Sequence, residues 1–317
     1  MARIEVTAHP SLALIKYWGK KDDKNNIPAT SSLAVSLGSL STRTVVKTKK
    51  SGDSVVIDNH ADESSRFAPV FEEIRKKAGE FIGFNIVSTN DFPASAGLAS
   101  SSSGIAAMTI ACAKAAGLDL ELRELSEIAR RGSTSAARAV YGGFTELIGG
   151  SKYAKQIGDS EFWPELRIAV LITQKTKKSI SSRDGMYRAR ETSPFYNQWI
   201  ENSEGIFCQA KKALLEKDVE KLGECMRKSY LSMFGTMFTA DPPVFYWRGE
   251  SVELIHRCQA LRSAGIGIWE TMDAGPQVKA VFTENDEEKI RMAFSDLAER
   301  GQLLITRPGG GPIVHGE

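Results

Sequence analysis

The sequence has few of the residues that build disulfide frameworks or metal clusters. Its 317 residues include four cysteines and four histidines. The cysteines are far apart and have no C-x-x-C spacing, which predicts reduced thiols of a cytosolic protein. They are Cys112, Cys208, Cys225 and Cys258. The histidines show no ligand spacing, so we expect no zinc site.

Charge of one sign and long apolar runs are also lacking. The 41 basic and 39 acidic residues leave a formal net charge of +2, which argues against a nucleic-acid-binding surface. No apolar run reaches about 18 residues and no signal pattern stands at the N-terminus, so we expect neither membrane insertion nor secretion. The length predicts two lobes, which we place at residues 1–178 and 179–317.

The periodicity of apolar residues predicts a mixed α/β protein. In the first lobe, alternation indicates strands at 2–7, 43–48, 54–58 and 83–88, and helical spacing indicates helices at 69–81, 104–116 and 122–132. A central strand at 166–173 and a polar loop at 174–185 follow. The second lobe is predicted as α+β, with its helices packed on one face of a sheet. Its helices are expected near 193–216, 217–235, 249–265 and 284–300, and its strands at 267–273, 278–282 and 302–306.

Small residues and hydroxyls are concentrated at 93–104, directly before an apolar helix. Gly97 and Gly104 would let an anion approach the backbone, and four serines, Ser100 to Ser103, add hydroxyls. The segment lacks both the G-x-x-x-x-G-K-[ST] lysine and the G-x-G-x-x-G spacing. It therefore predicts phosphate binding at a helix N-terminus, with a serine-rich helix cap as the alternative.

Three other segments combine cations with hydroxyls. Residues 14–20 place Lys16 and Lys20 four apart beside Tyr17, and residues 130–144 and 181–186 combine serines with an arginine. Such groups can bind phosphate or carboxylate. Taken alone, the two lysines are more typical of a solvated strand end. Residues 130–144 are equally compatible with a capped helix whose arginine forms a structural ion pair.

A strand ending at Asp273 followed by Ala-Gly-Pro offers a carboxylate at a strand end, which suits a general base. The alternative is a turn aspartate that hydrogen-bonds its own backbone. For the glycine-rich segment 308–312 we expect a flexible tail.

Taken together, these segments resemble the GHMP small-molecule kinases, and within them the diphosphomevalonate decarboxylases. Five motifs occur in that family's order: Ile15–Lys20, Asn26–Leu37, Gly132–Arg138, Ser181–Met186 and Met272–Pro276. The resemblance implies a two-lobe GHMP kinase fold with an N-terminal lobe like ribosomal protein S5 domain 2 and a ferredoxin-like C-terminal lobe. It also implies a cytoplasmic homodimer that decarboxylates mevalonate 5-diphosphate to isopentenyl diphosphate with ATP and Mg²⁺.

The same resemblance assigns roles to residues. Asp273 would act at the 3-hydroxyl as base or orienting carboxylate, Lys16 would lie beside it, and Arg138 would hold the substrate carboxylate. The rest of the substrate would be bound by Tyr17, Lys20, Ser133, Ser135, Ser182 and Arg183. ATP phosphates would be held by Gly97, Ser100, Ser101, Ser103 and Gly104, with Ser101 as a candidate Mg²⁺ ligand.

Three positions depart from the family pattern: Thr134 stands where glycine is common, Gln277 where asparagine is usual, and Phe234 where a histidine is typical. They leave open a mevalonate 5-phosphate decarboxylase that yields isopentenyl phosphate. A mevalonate 3-kinase and a non-catalytic binding protein on the same fold are the remaining alternatives.

Overall fold

The computed structural model describes residues 2–92, 100–173 and 180–315, and of Ser100 the backbone alone. Its strands are β1 Arg3–Ala8, β2 Ser11–Ile15, β3 Lys20–Asp22, β4 Ile27–Pro28, β5 Ser32–Ser36, β6 Thr42–Lys49, β7 Ser54–Ile57, β8 His60–Asp62, β9 Gly83–Asn90, β10 Phe144–Leu147, β11 Lys155–Gly158, β12 Leu166–Leu171, β13 Trp269–Met272, β14 Val278–Thr283, β15 Leu303–Thr306 and β16 Ile313–His315. Its helices are α1 Ala68–Ala78, α2 Ser100–Ala115, α3 Leu122–Gly132, α4 Ala136–Ala139, α5 Ser182–Thr192, α6 Tyr196–Leu215, α7 Val219–Phe238, α8 Gly249–Ser263, α9 Glu287–Ala293 and α10 Ser295–Glu299.

The first sheet has the strand order β16-β1-β6-β9-β7-β8 and packs one face against α1 to α4. Strand β6 shows why: Thr42, Thr44 and Val46 are buried while Arg43 and Lys47 face solvent, as expected of a sheet with one covered face. Phe71 on α1 and Phe84 on β9 meet in the core between these layers, with ring centroids 5.5 Å apart.

A second sheet, β11-β10-β5-β2, and a third, β13-β14-β12-β15, share one core with α6 and α7. Leu12 and Val35 of the second sheet belong to the same apolar cluster as Ile168 of the third sheet. Strand β12, which the predicted boundary placed in the first lobe, pairs with β14 and β15. A third core lies between this sheet and α5 to α10.

The predicted α/β class is confirmed, and most predicted elements are present within a few residues. The predicted loop at 174–185 was wrong at its end, because α5 begins at Ser182. The predicted helix at 284–300 is divided into a short 3₁₀ turn, α9 and α10. The predicted flexible tail was also wrong, since β16 pairs with β1 and the loop before it packs on Gly142.

The fold places several element ends at one cleft. Lys16 follows β2, Asp273 follows β13, Arg138 lies on α4, and Arg183 lies in the first turn of α5. Within the part of the chain that is described, no helix is both long and apolar enough to span a bilayer.

Candidate active site

A cavity of about 1020 Å³ lies where these ends meet. Each of the five motifs, together with the start of α2, contributes residues to its wall. Residues 93–99 lie outside the described residues. The chemistry-bearing ones are Lys16, Tyr17, Lys20, Ser101, Ser133, Ser135, Arg138, Ser182, Arg183 and Asp273. Segments more than 100 residues apart in sequence thus converge on one space.

Asp273 lies between two ammonium groups. The Lys16 Nζ donates to one carboxylate oxygen of Asp273 at 2.7 Å and to the Ala13 carbonyl at 2.6 Å, while the Lys279 Nζ is 3.3 Å from the other carboxylate oxygen. Burial raises the pKa of Asp273, but the two lysines outweigh burial and hold that pKa well below its usual range. Burial lowers the pKa of Lys16 to about 8, although Asp273 opposes the shift.

Arg138 is a buried cation with spare donors. Its side chain is 2% exposed, its Nη1 donates to the Ser32 hydroxyl at 2.6 Å, and its Cζ lies 5.8 Å from the centroid of the Tyr17 ring. Its Nε has no hydrogen-bond partner among the described residues. Burial lowers the pKa of this guanidinium. A buried arginine that lines a cavity with an unused donor is suited to an incoming anion.

Lys20 also lines the cavity and is held by a neighbouring side chain. Its Nζ donates to the Asn26 side chain, and burial, followed by the charge of Arg183, lowers its pKa to about 8. Ser133 and Ser135 share a hydrogen bond of 3.0 Å at the cavity wall. Ser182 is half-buried and Arg183 is exposed in the first turn of α5. These residues add hydroxyl groups and positive charge to the cavity wall.

The serines at the start of α2 do not all reach the cavity. Ser101 is exposed and lines it, whereas Ser103 is fully buried and shares a 2.6 Å hydrogen bond with Thr42. Because a helix turns about 100° per residue, a side chain two positions after Ser101 faces the opposite side. The Ser103 hydroxyl therefore attaches α2 to β6, and its contact with ATP stays a prediction. Gly104 also faces Thr42, and Gly97 lies outside the described residues.

The three departures from the family pattern have structural partners. The Thr134 hydroxyl donates to the Asn26 carbonyl at 2.9 Å and so connects the 133–135 turn to the residue that holds Lys20. The Gln277 side chain accepts from the backbone and hydroxyl of Thr173. Phe234 is fully buried in an aromatic cluster with Tyr230, Phe238 and Trp247.

Sequence reasoning missed Lys279, Ser32 and Asn26 as functional neighbours. Ser32 and Asn26 lay inside a quoted motif, but nothing local indicated that they contact Arg138 and Lys20. Lys279 carried a stronger signal, because it is a lone charge in the apolar strand Val278–Thr283. A charge in such a strand needs a buried partner.

The fold and the site define a class first: a two-lobe small-molecule kinase fold whose cleft collects cations around one carboxylate. Two family models then cover most of the chain. Residues 8–158 match the diphosphomevalonate decarboxylase-like N-terminal domain, and residues 168–306 match the mevalonate 5-diphosphate decarboxylase C-terminal domain. The chain belongs to the diphosphomevalonate decarboxylase family.

Curated relatives and solved structures agree. The chain is 32% identical to diphosphomevalonate decarboxylase of Candida albicans, covering 92% of this chain and 87% of the relative, and 30% identical to the human enzyme, covering 90% and 78%. The mevalonate diphosphate decarboxylase structure from Staphylococcus aureus superposes with a TM-score of 0.93 at 31% identity, covering 99% and 98%. A structure of MDDEF in complex with MVAPP, AMPPCP and magnesium gives 0.92 at 34% identity, covering 99% of each chain.

Proposed function

We propose that this chain catalyses the ATP-dependent decarboxylation of mevalonate 5-diphosphate to isopentenyl diphosphate, ADP, phosphate and CO₂. One observation carries the proposal: a carboxylate held by two ammonium groups lines the same cavity as a buried arginine with a spare donor. Such a cleft is suited to a substrate that brings a carboxylate, a hydroxyl and phosphates together. The relatives' ligands, mevalonate diphosphate and an ATP analogue, have these groups.

The chemistry has two steps. The substrate 3-hydroxyl oxygen forms a bond to the γ-phosphorus of ATP, and the bond from that phosphorus to the bridging oxygen breaks. ADP leaves with the electron pair, and the hydroxyl proton passes to an oxygen of the transferred phosphoryl group. Asp273 accepts the hydrogen bond of the 3-hydroxyl and orients its oxygen for attack. Since its pKa is held below the usual range, Asp273 is a weak proton acceptor, and the orienting role is favoured over that of a strong base.

In the second step the new C3 phosphate leaves with the electrons of its C–O bond. The electrons of the C1–C2 bond then form the C2=C3 double bond, and C1 departs as CO₂. Arg138 is assigned to the substrate carboxylate, which it would hold in line with the developing positive charge at C3. Lys16 would balance the charge on the transferring phosphoryl group.

The other assignments follow the cavity wall. Tyr17, Lys20, Ser133, Ser135, Ser182 and Arg183 would bind the diphosphate end and the carbon chain. Gly97, Ser100 and Ser101, with the backbone at Gly104, would bind the ATP phosphates. These assignments extend the family resemblance residue by residue.

Magnesium fits the donors present at the start of α2. Among the described residues, no group of three or more His, Cys, Asp and Glu forms a metal site of its own. The exposed Ser101 hydroxyl on the cavity wall is a hard oxygen donor of the type that Mg²⁺ accepts beside phosphate oxygens. When bound, the ion neutralises phosphate charge.

The test is an ATP-dependent CO₂-release assay run in parallel on mevalonate 5-diphosphate and mevalonate 5-phosphate. We expect stoichiometric ADP and CO₂ with the diphosphate. CO₂ from the monophosphate alone would replace this function with the alternative decarboxylase. ADP without CO₂ would indicate a 3-kinase, and neither product would indicate a binding protein.

We also propose a cytoplasmic homodimer, which rests on the family resemblance. Sedimentation at micromolar concentration tests the oligomeric state, and a monomer would contradict it.

A further inference from the structure

Lys279 is a lysine that a central strand would not ordinarily contain. It lies in β14, between β13 and β12, where its backbone is opposite Thr271 and Val170. Its side chain is 2% exposed, and the next four strand residues, Ala280 to Thr283, carry no charge. Burying an ammonium group costs several kcal/mol unless a partner compensates. Lys279 therefore needs a buried partner that compensates its charge.

The partner lies in the active site. The Lys279 Nζ is 3.3 Å from Oδ2 of Asp273, while Lys16 holds Oδ1 at 2.7 Å. A carboxylate held at one oxygen alone can rotate about its Cβ–Cγ bond, whereas ammonium groups from two distant parts of the chain, one at each oxygen, restrain that rotation. Lys279 thus fixes the plane of the Asp273 carboxylate.

Lys279 does not belong to the cavity wall. Asp273, Lys16 and Arg138 line the cavity, whereas Lys279 is absent from the described residues that line it. It is buried and contacts Asp273 from strand β14. Its effect on the reaction must therefore pass through Asp273.

We propose that Lys279 is a positioning residue for the phosphoryl-transfer step, which holds the Asp273 carboxylate ionised and oriented toward the substrate hydroxyl. The proposal rests on the proposed function. It also explains the direction of the Asp273 pKa, to which Lys279 contributes after Lys16. The reaction itself is unchanged, because Lys279 exchanges no atom or proton with the substrate.

The test begins with Lys279→Met, which keeps the length of the side chain and removes the charge. A misoriented reacting group costs about 10- to 100-fold in rate, so we expect kcat for ADP formation to fall by that factor. The KM values, and the calorimetric Kd of mevalonate 5-diphosphate without ATP, should stay within about 3-fold, since Lys279 does not line the cavity. Lys289→Met, which breaks a surface lysine–aspartate pair with Asp286, is the matched control and should match the wild type.

A double variant separates a positioning role from a packing role. If Lys279 acts through Asp273, Lys279→Met added to Asp273→Asn should lower kcat by less than about 3-fold more, because asparagine has no negative charge and no second carboxylate oxygen for Lys279 to hold. Full additivity of the two losses would overturn the proposal. So would a Lys279→Met enzyme with wild-type kcat per folded molecule.

Folding and function are kept apart by two further measurements. If Lys279→Met does not fold, Lys279→Gln, which keeps an N–H donor, should fold and show a smaller loss of kcat with the same unchanged Kd; a wild-type kcat there overturns the proposal. A wild type that makes no ADP from mevalonate 5-diphosphate overturns the proposed function itself. An active wild type with an unaffected Lys279 variant overturns only this inference.

Discussion

At the scale of the residue, Asp273 is proposed to act in the phosphoryl-transfer step, which must precede decarboxylation. Replacing it by asparagine keeps the shape but removes the negative charge. We expect Asp273→Asn to lower ADP formation and CO₂ release together by about 100- to 10,000-fold, because phosphorylation precedes decarboxylation. Binding of ATP and substrate, measured by calorimetry, should persist. Normal ADP formation without CO₂ would place Asp273 in the second step instead.

A substitution of Arg138 tests whether the reaction needs the planar shape of the guanidinium group as well as its positive charge. Arg138→Lys keeps the positive charge but loses the planar fork that grips a carboxylate. The loss of such a contact in a buried site costs about 2–4 kcal/mol, or roughly 30- to 1000-fold in kcat/KM. Arg257→Lys, which alters a bidentate pair with Asp296 on the surface, is the control and should leave kcat/KM unchanged. Wild-type kcat/KM in Arg138→Lys would remove the assigned role.

The lowered pKa of Lys16 predicts that raising the pH above 8 has opposite effects on the activity and on the stability of the protein. Its pKa is lowered from 10.5 to about 8, by burial first, against the attraction of Asp273 and with repulsion from Lys279 and Arg138. If its ammonium form is needed, kcat/KM should fall about tenfold per pH unit above pH 8. Between pH 8 and 10.5 the unfolded chain binds more protons than the folded one, so the contribution of Lys16 to stability should rise over the same range.

Parallel pH profiles of kcat/KM and of urea unfolding check this prediction. Lys20, whose pKa is also lowered to about 8, needs its own control. In Lys20→Met, kcat/KM should still decrease above pH 8, at the same pH as in the wild type. A profile that is flat to about pH 10 would contradict the role of Lys16.

At the scale of the element, the turn before β10 is fixed by contact with a distant part of the chain. Gly142 has a φ of +73°, and a Cβ there would overlap the Gly310 carbonyl. Gly117 has the same φ of +73°, but a methyl group added there would meet nothing within 4 Å. Gly117→Ala should cost about 1–2 kcal/mol for the backbone alone. Gly142→Ala should cost about 1–3 kcal/mol more, because the loop must shift. Urea unfolding measures the free energy of unfolding that each variant loses. Equal losses would show that the loop around Gly310 moves aside at no cost.

The elements also show what the sequence could predict. Strands β6 and β9 alternate polar and apolar residues and could be read directly, as could α3 with its charged face. Strands β2 and β5 were missed because both are short and buried at every position, which leaves no alternation. The short strand β16 was missed because its partner β1 lies at the opposite end of the chain. Helix α5 was missed although Ser181 caps it by accepting from the Asp184 amide.

In the candidate site, too, some features could be predicted from the sequence and others could not. The residue types and the order of the motifs were sufficient to predict that Asp273, Lys16 and Arg138 lie at one site, and all three line the same cavity. Which side chains face the cavity depends on helix rotation and strand register. Ser103 and Lys279 therefore needed the structure: the first turns away from the cavity, and the second approaches Asp273 from a neighbouring strand.

At the scale of the whole molecule, the apolar cores connect the two proposed lobes. The core around Leu12, Val35 and Ile168 takes residues from the second and third sheets as well as from α6 and α7. Cutting the chain between the lobes would expose this core on both sides. We therefore expect the lobes of this chain to unfold as one cooperative unit.

Two matched isoleucines test that expectation. Ile74 on α1 lies in the first core and Ile290 on α9 in the third, and both are fully buried. Each change to alanine should cost about 2–5 kcal/mol. If the lobes are coupled through the shared core, both variants should shift one and the same urea transition, seen equally by far-UV circular dichroism and by tryptophan fluorescence. If Ile74→Ala moves an early transition that Ile290→Ala leaves in place, the lobes fold independently and the shared core does not couple them.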